Sequence, residues 1–176
     1  MKILFMGTPD FAVSSLEALI NDGHTITSVI TQPDKPKGRG HKMAHPPVYD
    51  FAQSKNLAVH QPETLKNNGI LDILQSESPE LIVVVAYGKI LPEYVLEFPK
   101  YGCVNVHASL LPKYRGAAPI QRSIIDGETV TGVTTMYMAK GLDTGDMIEK
   151  CRVDILPEDN FETLHDKLAV AGAKLI

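Results

Sequence analysis

The stretch from residue 102 to 115, Gly-Cys-Val-Asn-Val-His-Ala-Ser-Leu-Leu-Pro-Lys-Tyr-Arg, most constrains how this chain can fold. Its first half has the apolar, β-favouring character of a buried strand, supplied by Cys103, Val104 and Val106. Asn105 and His107 interrupt it two residues apart. Alternate residues of a strand share a face, so an amide and an imidazole project together from the strand's C-terminal end. An isolated Asn-x-His is most often a hydrogen-bonded pair within a core. Here Pro112 ends the regular structure and Arg115-Gly116 opens a polar turn. A polar pair where a strand gives way to a loop sits where open α/β sheets bind ligands.

The rest of the chain supplies such a sheet. Residues 2–6 read as a buried strand, and Thr8 suits a helix N-cap with Pro9 at the first helical position. Ala12, Leu16, Leu19 and Ile20 recur with helical period, Gly23 suits the C′ position, and a second strand covers 25–31. Strand, helix and strand in about 30 residues make a βαβ unit, hence a parallel sheet with a right-handed crossover. Residues 81–86, Leu-Ile-Val-Val-Val-Ala, are apolar on both faces, as a central parallel strand covered by helices must be. Further helices are expected at 47–56, 65–76, 92–98 and 117–125, with a short strand at 58–59. Residues 129–139 and 147–155 are expected to pair as an antiparallel extension. An amphipathic helix follows, carrying Phe161, Leu164, Leu168, Ala171 and Leu175. The fold class is α/β: a doubly wound, mostly parallel sheet with helices on both faces.

Gly7 stands alone before Thr-Pro-Asp-Phe-Ala, so the Gly-x-Gly-x-x-Gly fingerprint of NAD and FAD sites is missing. Gly7 permits either a tight turn or the close approach of another ligand. Residues 32–47 read as a long irregular segment rich in Pro and Gly. Lys35, Lys37, Arg39 and Lys42 oppose a single carboxylate there, Asp34. A flexible cationic loop is either a solvated surface or a phosphate contact. The formal net charge of −4 means that a nucleic-acid partner would need such a local patch. At 176 residues and 44% hydrophobic, the chain is long and apolar enough for one sizeable core. Cys103 and Cys151 have no metal-ligand spacing and read as buried free thiols. The short apolar run at the N-terminus is no signal peptide, so a cytoplasmic protein without membrane attachment is expected.

Three polar features can converge: Asn105, His107 and Asp143, the last within the loop Gly-Leu-Asp-Thr-Gly-Asp at 141–146. An amide and an imidazole can donate to an oxyanion, and a carboxylate can orient the imidazole and favour its charged form. There is no nucleophile-elbow pattern and no His-Glu-x-x-His for metal. The trio suits direct transfer of an acyl group to an incoming amine, with the carboxylate helping to shuttle protons. Taken alone, Asp143 beside Gly141 and Gly145 is an ordinary turn residue.

The motif Asn-Val-His-Ala-Ser-Leu-Leu-Pro-Lys-Tyr-Arg-Gly-Ala-Ala-Pro-Ile-Gln, followed by Gly-Leu-Asp-Thr-Gly-Asp, resembles the folate-dependent formyltransferases. The Met-Gly-Thr-Pro-Asp-Phe-Ala start and the loop Gln-Pro-Asp-Lys-Pro-Lys-Gly-Arg-Gly are similar to the methionyl-tRNA branch of that family. The resemblance runs from about residue 1 to 170. It implies a doubly wound sheet and a formyl group passed from the co-substrate 10-formyltetrahydrofolate to the amino group of methionyl initiator tRNA, without a metal. It implies that Asn105, His107 and Asp143 are catalytic. Ser109, Leu110, Leu111 and Pro112 would form a folate-binding turn. Arg39, with Lys35, Lys37 and Lys42, would meet the acceptor end of the tRNA. The family's β-rich C-terminal domain has no counterpart in 1–176, so these residues are expected to be the catalytic domain, as a monomer. Two sister activities share the trio. A glycinamide ribonucleotide formyltransferase would need a Gly-rich phosphate loop after the first strand, where Thr8-Pro9-Asp10 stands. A formyltetrahydrofolate hydrolase, with water as acceptor, has no use for the cationic loop. A non-catalytic nucleotide-binding module is the remaining alternative.

Overall fold

The structure is a computed structural model that describes residues 1–37 and 42–176, without the side chains of Lys37 and Lys42. In chain order the elements are β1 (Lys2–Gly7), α1 (Asp10–Asn21), β2 (Thr25–Ile30), β3 (Lys35–Lys37), β4 (Lys42–Ala44), α2 (Pro47–Ser54), β5 (Val59–His60) and α3 (Leu71–Glu77). They continue as β6 (Leu81–Val85), α4 (Glu93–Leu96), β7 (Cys103–His107), α5 (Pro119–Ile125), β8 (Val130–Tyr137), β9 (Met147–Asp154) and α6 (Phe161–Leu175). The main sheet has the order β5-β2-β1-β6-β7-β8-β9. Its first five strands are parallel, and β8 and β9 extend it antiparallel.

Period-two alternation divides the core into two layers. Ile3 and Phe5 of β1, Val83 and Val85 of β6 and Val106 of β7 pack under Phe11, Leu16, Val48 and Leu164 from α1, α2 and α6. Leu4, Met6, Ile82, Val84 and Cys103 face the other way, against Leu65, Ile70, Leu74 and Val95. Both faces of the central strands are thus covered, which explains why 81–86 carries no polar residue. The chain runs outward from β1 to β2 and β5, then returns to β6 on the other side of β1. That reversal is the topological switch point of the sheet.

Several expected local features resolve differently. Helix α1 begins at Asp10 with Pro9 as its N-cap residue, and no side chain caps it. Thr8 instead donates its hydroxyl to the Tyr87 carbonyl at 3.0 Å, a partner 79 residues away. Gly23 does sit at C′, in the left-handed region at φ 77°. Gly7 serves packing, since a Cβ there would lie 2.8 Å from the Ala12 Cβ, so its absence lets α1 close onto β1. The segment 32–47 is not wholly irregular: β3 and β4 pair as an antiparallel ribbon. Pro36 is tolerated in it because a two-stranded ribbon leaves an unpaired side on each strand. The expected helix over 65–76 shrinks to α3, because Asn67 and Asn68 take left-handed backbone at φ 53° and 60°. Both cysteines are free, Cys103 buried and Cys151 only half-buried.

Helix α6 is fastened at its start. Asn160 caps it, accepting from the Glu162 and Thr163 amides, while the Thr163 hydroxyl accepts from the Asn160 amide. Beside this cap the Asp159 carboxylate, its side chain 4% exposed, meets Lys167 at 2.6 Å and accepts from the Leu156 amide and the Thr163 hydroxyl. Led by the Lys167 contact, these bonds pull the Asp159 pKa down from 3.8 to about 2. A depressed carboxyl stabilises the fold above its unfolded pKa, and that contribution disappears as pH falls through the folded value. Asp159→Asn should therefore lower the urea midpoint at neutral pH. The gap to wild type should close as pH falls from about 3.8 to about 2. A gap independent of pH would remove the charge from the explanation.

Candidate active site

Strand β7 ends at the open edge of the switch-point crevice, and its two polar residues arrive there on one face. The His107 ring is 7% exposed and lies 2.9 Å through Nε2 from the Tyr114 carbonyl. A carbonyl oxygen only accepts, so Nε2 carries the hydrogen. Nδ1 is then the basic nitrogen of the neutral ring, and it faces Asp143 Oδ2 at 3.6 Å. That gap exceeds a hydrogen bond yet suits an ion pair once Nδ1 takes a proton. The same Oδ2 accepts the Gly116 amide at 2.8 Å. Asp143 stands at φ 50°, a conformation that Asp tolerates better than most residues. The Asn105 amide is half-buried and has no hydrogen-bond partner among the described residues, so it is free to donate to a ligand.

All three residues line one cavity of about 1210 Å³. Tyr87, Lys89, Ile90, Met138 and Leu142 wall it where β6 and β8 end. Pro9, Phe11, Pro119, Phe161 and His165 wall it from the layer of α1, α5 and α6. Tyr87 is almost wholly buried, and burial pushes its phenol up to about 12. Lys89 donates to the carbonyls of Pro62 and Glu63, tying down the loop after β5. Burial, with Lys35 nearby, holds the Lys89 ammonium below the usual lysine range. His165 packs edge-on against Phe11 and lies 3.4 Å from Asp10 and 2.9 Å from Asp166. Among the described residues no cluster of His, Cys, Asp and Glu is arranged to hold a metal ion. None of the described helices is long and apolar enough to cross a membrane.

The turn 109–112 stands behind this cavity and contributes nothing to its lining. Ser109 is buried and donates to the Lys113 carbonyl. Thr134 donates its hydroxyl to the Ser109 carbonyl and accepts from the Leu111 amide. Leu110 packs over Gly132, Leu111 is buried, and Pro112 is exposed. The turn braces the loop that carries Tyr114 and Gly116. The walls from Tyr87 to Leu91 and from Met138 to Lys140 lie outside the residues that the sequence motifs mark. The signal was available in Tyr87-Gly88, which closes the clearest central strand at the point where such sheets bind ligands. In the cationic segment, Lys35 donates to Gln32 at 2.8 Å, and Gln32 donates in turn to the Tyr87 carbonyl at 2.8 Å. Lys37 and Lys42 pair across the ribbon through their backbones, while their side chains and Arg39 lie outside the described residues.

Comparison with known proteins agrees with this architecture. The family described as formyl transferase matches residues 1–176. A methionyl-tRNA formyltransferase of Pelotomaculum thermopropionicum is 56% identical over 176 residues, covering 100% of this chain and 56% of the relative. Another, of Caldanaerobacter subterraneus, is 57% identical over 177 residues, covering 100% of this chain and 57% of the relative. The chain thus spans little more than half the length of these curated relatives. The crystal structure of phosphoribosylglycinamide formyltransferase from Anaplasma phagocytophilum superposes with a TM-score of 0.82 at 23% identity, over 99% of this chain and 82% of that one. The Bacillus halodurans protein of the same name gives 0.79 at 22% identity, over 99% and 95%. At such identities the structural likeness speaks for the fold.

Proposed function

The chain belongs to the formyl transferase family, and on that premise we propose that it passes a formyl group from 10-formyltetrahydrofolate to the amino group of methionyl initiator tRNA, in the cytoplasm, at the start of translation. The observation that carries this reading is the trio on the cavity wall: a free amide donor, an imidazole with Nδ1 as its base, and a carboxylate 3.6 Å from that nitrogen. The relatives that match the whole chain at 56% and 57% identity are named methionyl-tRNA formyltransferase, which supports this reading.

In this mechanism the amine nitrogen attacks the formyl carbon, and the carbonyl oxygen takes the electron pair. Asn105 donates to that oxyanion. His107 accepts the proton that the nitrogen loses, at Nδ1, and the resulting imidazolium is paired by Asp143. As imidazolium, His107 can donate to the oxyanion from Nδ1 or return the proton to the departing folate nitrogen. The products are formyl-methionyl-tRNA and tetrahydrofolate. The cavity volume exceeds that of ordinary small-molecule sites, roughly 300–1000 Å³, which leaves room for a pterin and an aminoacyl end together. Ile90, Met138 and Leu142 offer the apolar wall that a flat ring needs.

The start of α1 argues against a phosphorylated small-molecule acceptor. The Asp10 carboxylate occupies that helix N-terminus and accepts the Phe11 amide at 3.0 Å, where a phosphate would otherwise bind. The cationic segment 35–42 of the sequence, with Lys35, Lys37, Arg39 and Lys42, instead suits phosphates of an RNA end, and an arginine such as Arg39 can hold one through two parallel hydrogen bonds.

Transfer to charged initiator tRNA, to glycinamide ribonucleotide and to water, measured side by side in the full-length protein, tests the reading. The tRNA should be the preferred acceptor, and preference for either of the others would overturn it. Within that assay, His107→Ala and Asn105→Ala should each reduce formyl transfer by about 10²–10³-fold while thermal melting stays close to wild type. Arg39→Ala should cost about 10–100-fold in kcat/KM for tRNA, the worth of a charge-assisted contact, and leave folate hydrolysis unchanged. Arg39→Lys should lie between the two. A parallel fall in both activities would separate the ribbon from tRNA recognition.

A further inference from the structure

Two members of the trio, His107 and Asp143, are held by a segment that the chemistry itself does not use. Residues 114 and 116 contact both halves of the acid–base pair: the Tyr114 carbonyl accepts from His107 Nε2 at 2.9 Å, and the Gly116 amide donates to Asp143 at 2.8 Å. Tyr114 reaches this position only by adopting φ 57°. The left-handed region is disfavoured for a bulky aromatic residue and persists only where the surroundings impose it. Here they do so through the other end of the side chain. The Tyr114 hydroxyl lies 2.9 Å from Asp126 Oδ2 and 2.9 Å from Glu128 Oε1. Glu128 is itself paired with Lys113 at 2.7 Å. Asp126 is the C-cap residue of α5 and Glu128 lies between α5 and β8, so the phenol is tied to the rigid scaffold. A carboxylate at a helix C-terminus opposes the helix dipole, so Asp126 is poorly placed for α5 alone.

We propose that Tyr114 is a positioning residue for the imidazole: its phenol, anchored on Asp126 and Glu128, holds residue 114 in the left-handed conformation that aims its carbonyl at His107 Nε2. The neutral ring is thereby kept as the Nε2–H tautomer, with Nδ1 turned toward Asp143 and the cavity. In the other tautomer the proton would sit on Nδ1, and the nitrogen turned toward the cavity could not accept one from the attacking amine. The inference rests on the formyl-transfer reading for its effect on rate, but its effect on the ring stands apart from that reading. Burial, followed by the hydrogen bonds to Glu128 and Asp126, raises the phenol's pKa, so the hydroxyl stays protonated and remains a donor.

Two measurements on the full-length protein test this. The first is the ¹⁵N spectrum of the His107 ring, assigned by its loss in His107→Gln and recorded where the ring is neutral. Wild type should show the Nε2–H tautomer alone, and Tyr114→Phe a mixture with Nδ1–H. The second is steady-state formyl transfer, in which Tyr114→Phe should lose about 10–100-fold in kcat, as for a small misplacement of a reacting group, with KM for folate and tRNA within about twofold of wild type. The double variant Asp126→Ala, Glu128→Ala removes the anchor without touching Tyr114 and should reproduce both effects. An unmixed Nε2–H ring in both variants overturns the proposal, whatever their rates or melting temperatures. If wild type formylates no charged tRNA, the proposed reaction fails, while the ring spectra still decide the role of Tyr114.

Discussion

A buried imidazole needs a partner for its ring N–H, and the bond from His107 Nε2 to the Tyr114 carbonyl is what the rest of the site depends on. It decides which nitrogen is basic, and so which way a proton can travel. It also ties the end of β7 to the loop whose Gly116 amide holds Asp143. One short segment therefore places the base, its counter-charge and the space between them. The 3.6 Å separation exceeds a hydrogen bond, so the pair is weakly engaged while the ring is neutral.

The doubly wound sheet makes that arrangement possible. Strand β7 pairs in parallel with β6 and antiparallel with β8, so its backbone is satisfied on both sides and its direction is set. Cys103 and Val104 lie in the core, and the C-terminal part of the strand, Asn105, Val106 and His107, lines the crevice. The antiparallel return through β8 delivers Met138 to the cavity wall and Asp143 to the imidazole. Helix α6, locked at its start by Asn160 and Asp159, adds Phe161 and His165 from the opposite layer.

A polar relay connects this cavity to the cationic ribbon. Gln32 touches the Tyr87 carbonyl, Lys35 and Gln61, and Gln61 also donates to Asp34 at 2.7 Å. Asp34 meets His45, which stacks on Tyr49 at 4.1 Å between centroids. The bond from Gln61, then that with His45, holds the Asp34 carboxyl below its usual pKa. The two roots of the ribbon are thus fastened to each other and to the end of β6. A polymer that bound the ribbon would be held in register with the cavity mouth.

Local pattern alone determined the strands of the main sheet, most of the helices and the shared face of Asn105 and His107. Period two and period 3.6 are properties of the backbone and need no distant partner. The doubly wound class followed from βαβ order and from the apolar run at 81–86, and the structure agrees. Only the tertiary structure decided that Thr8 bonds Tyr87 rather than capping α1, and that β3 and β4 pair. The same holds for the turn 109–112, which braces the site from behind, and for Phe11 and Phe161, which pack on His165 in one wall of the cavity. The tautomer of His107 belongs here too, because its partner is a carbonyl aimed by a residue in the left-handed region. Each of these depends on where whole elements come to rest against one another, and the energy that places them is spread over many buried contacts rather than written in the few residues that profit from it.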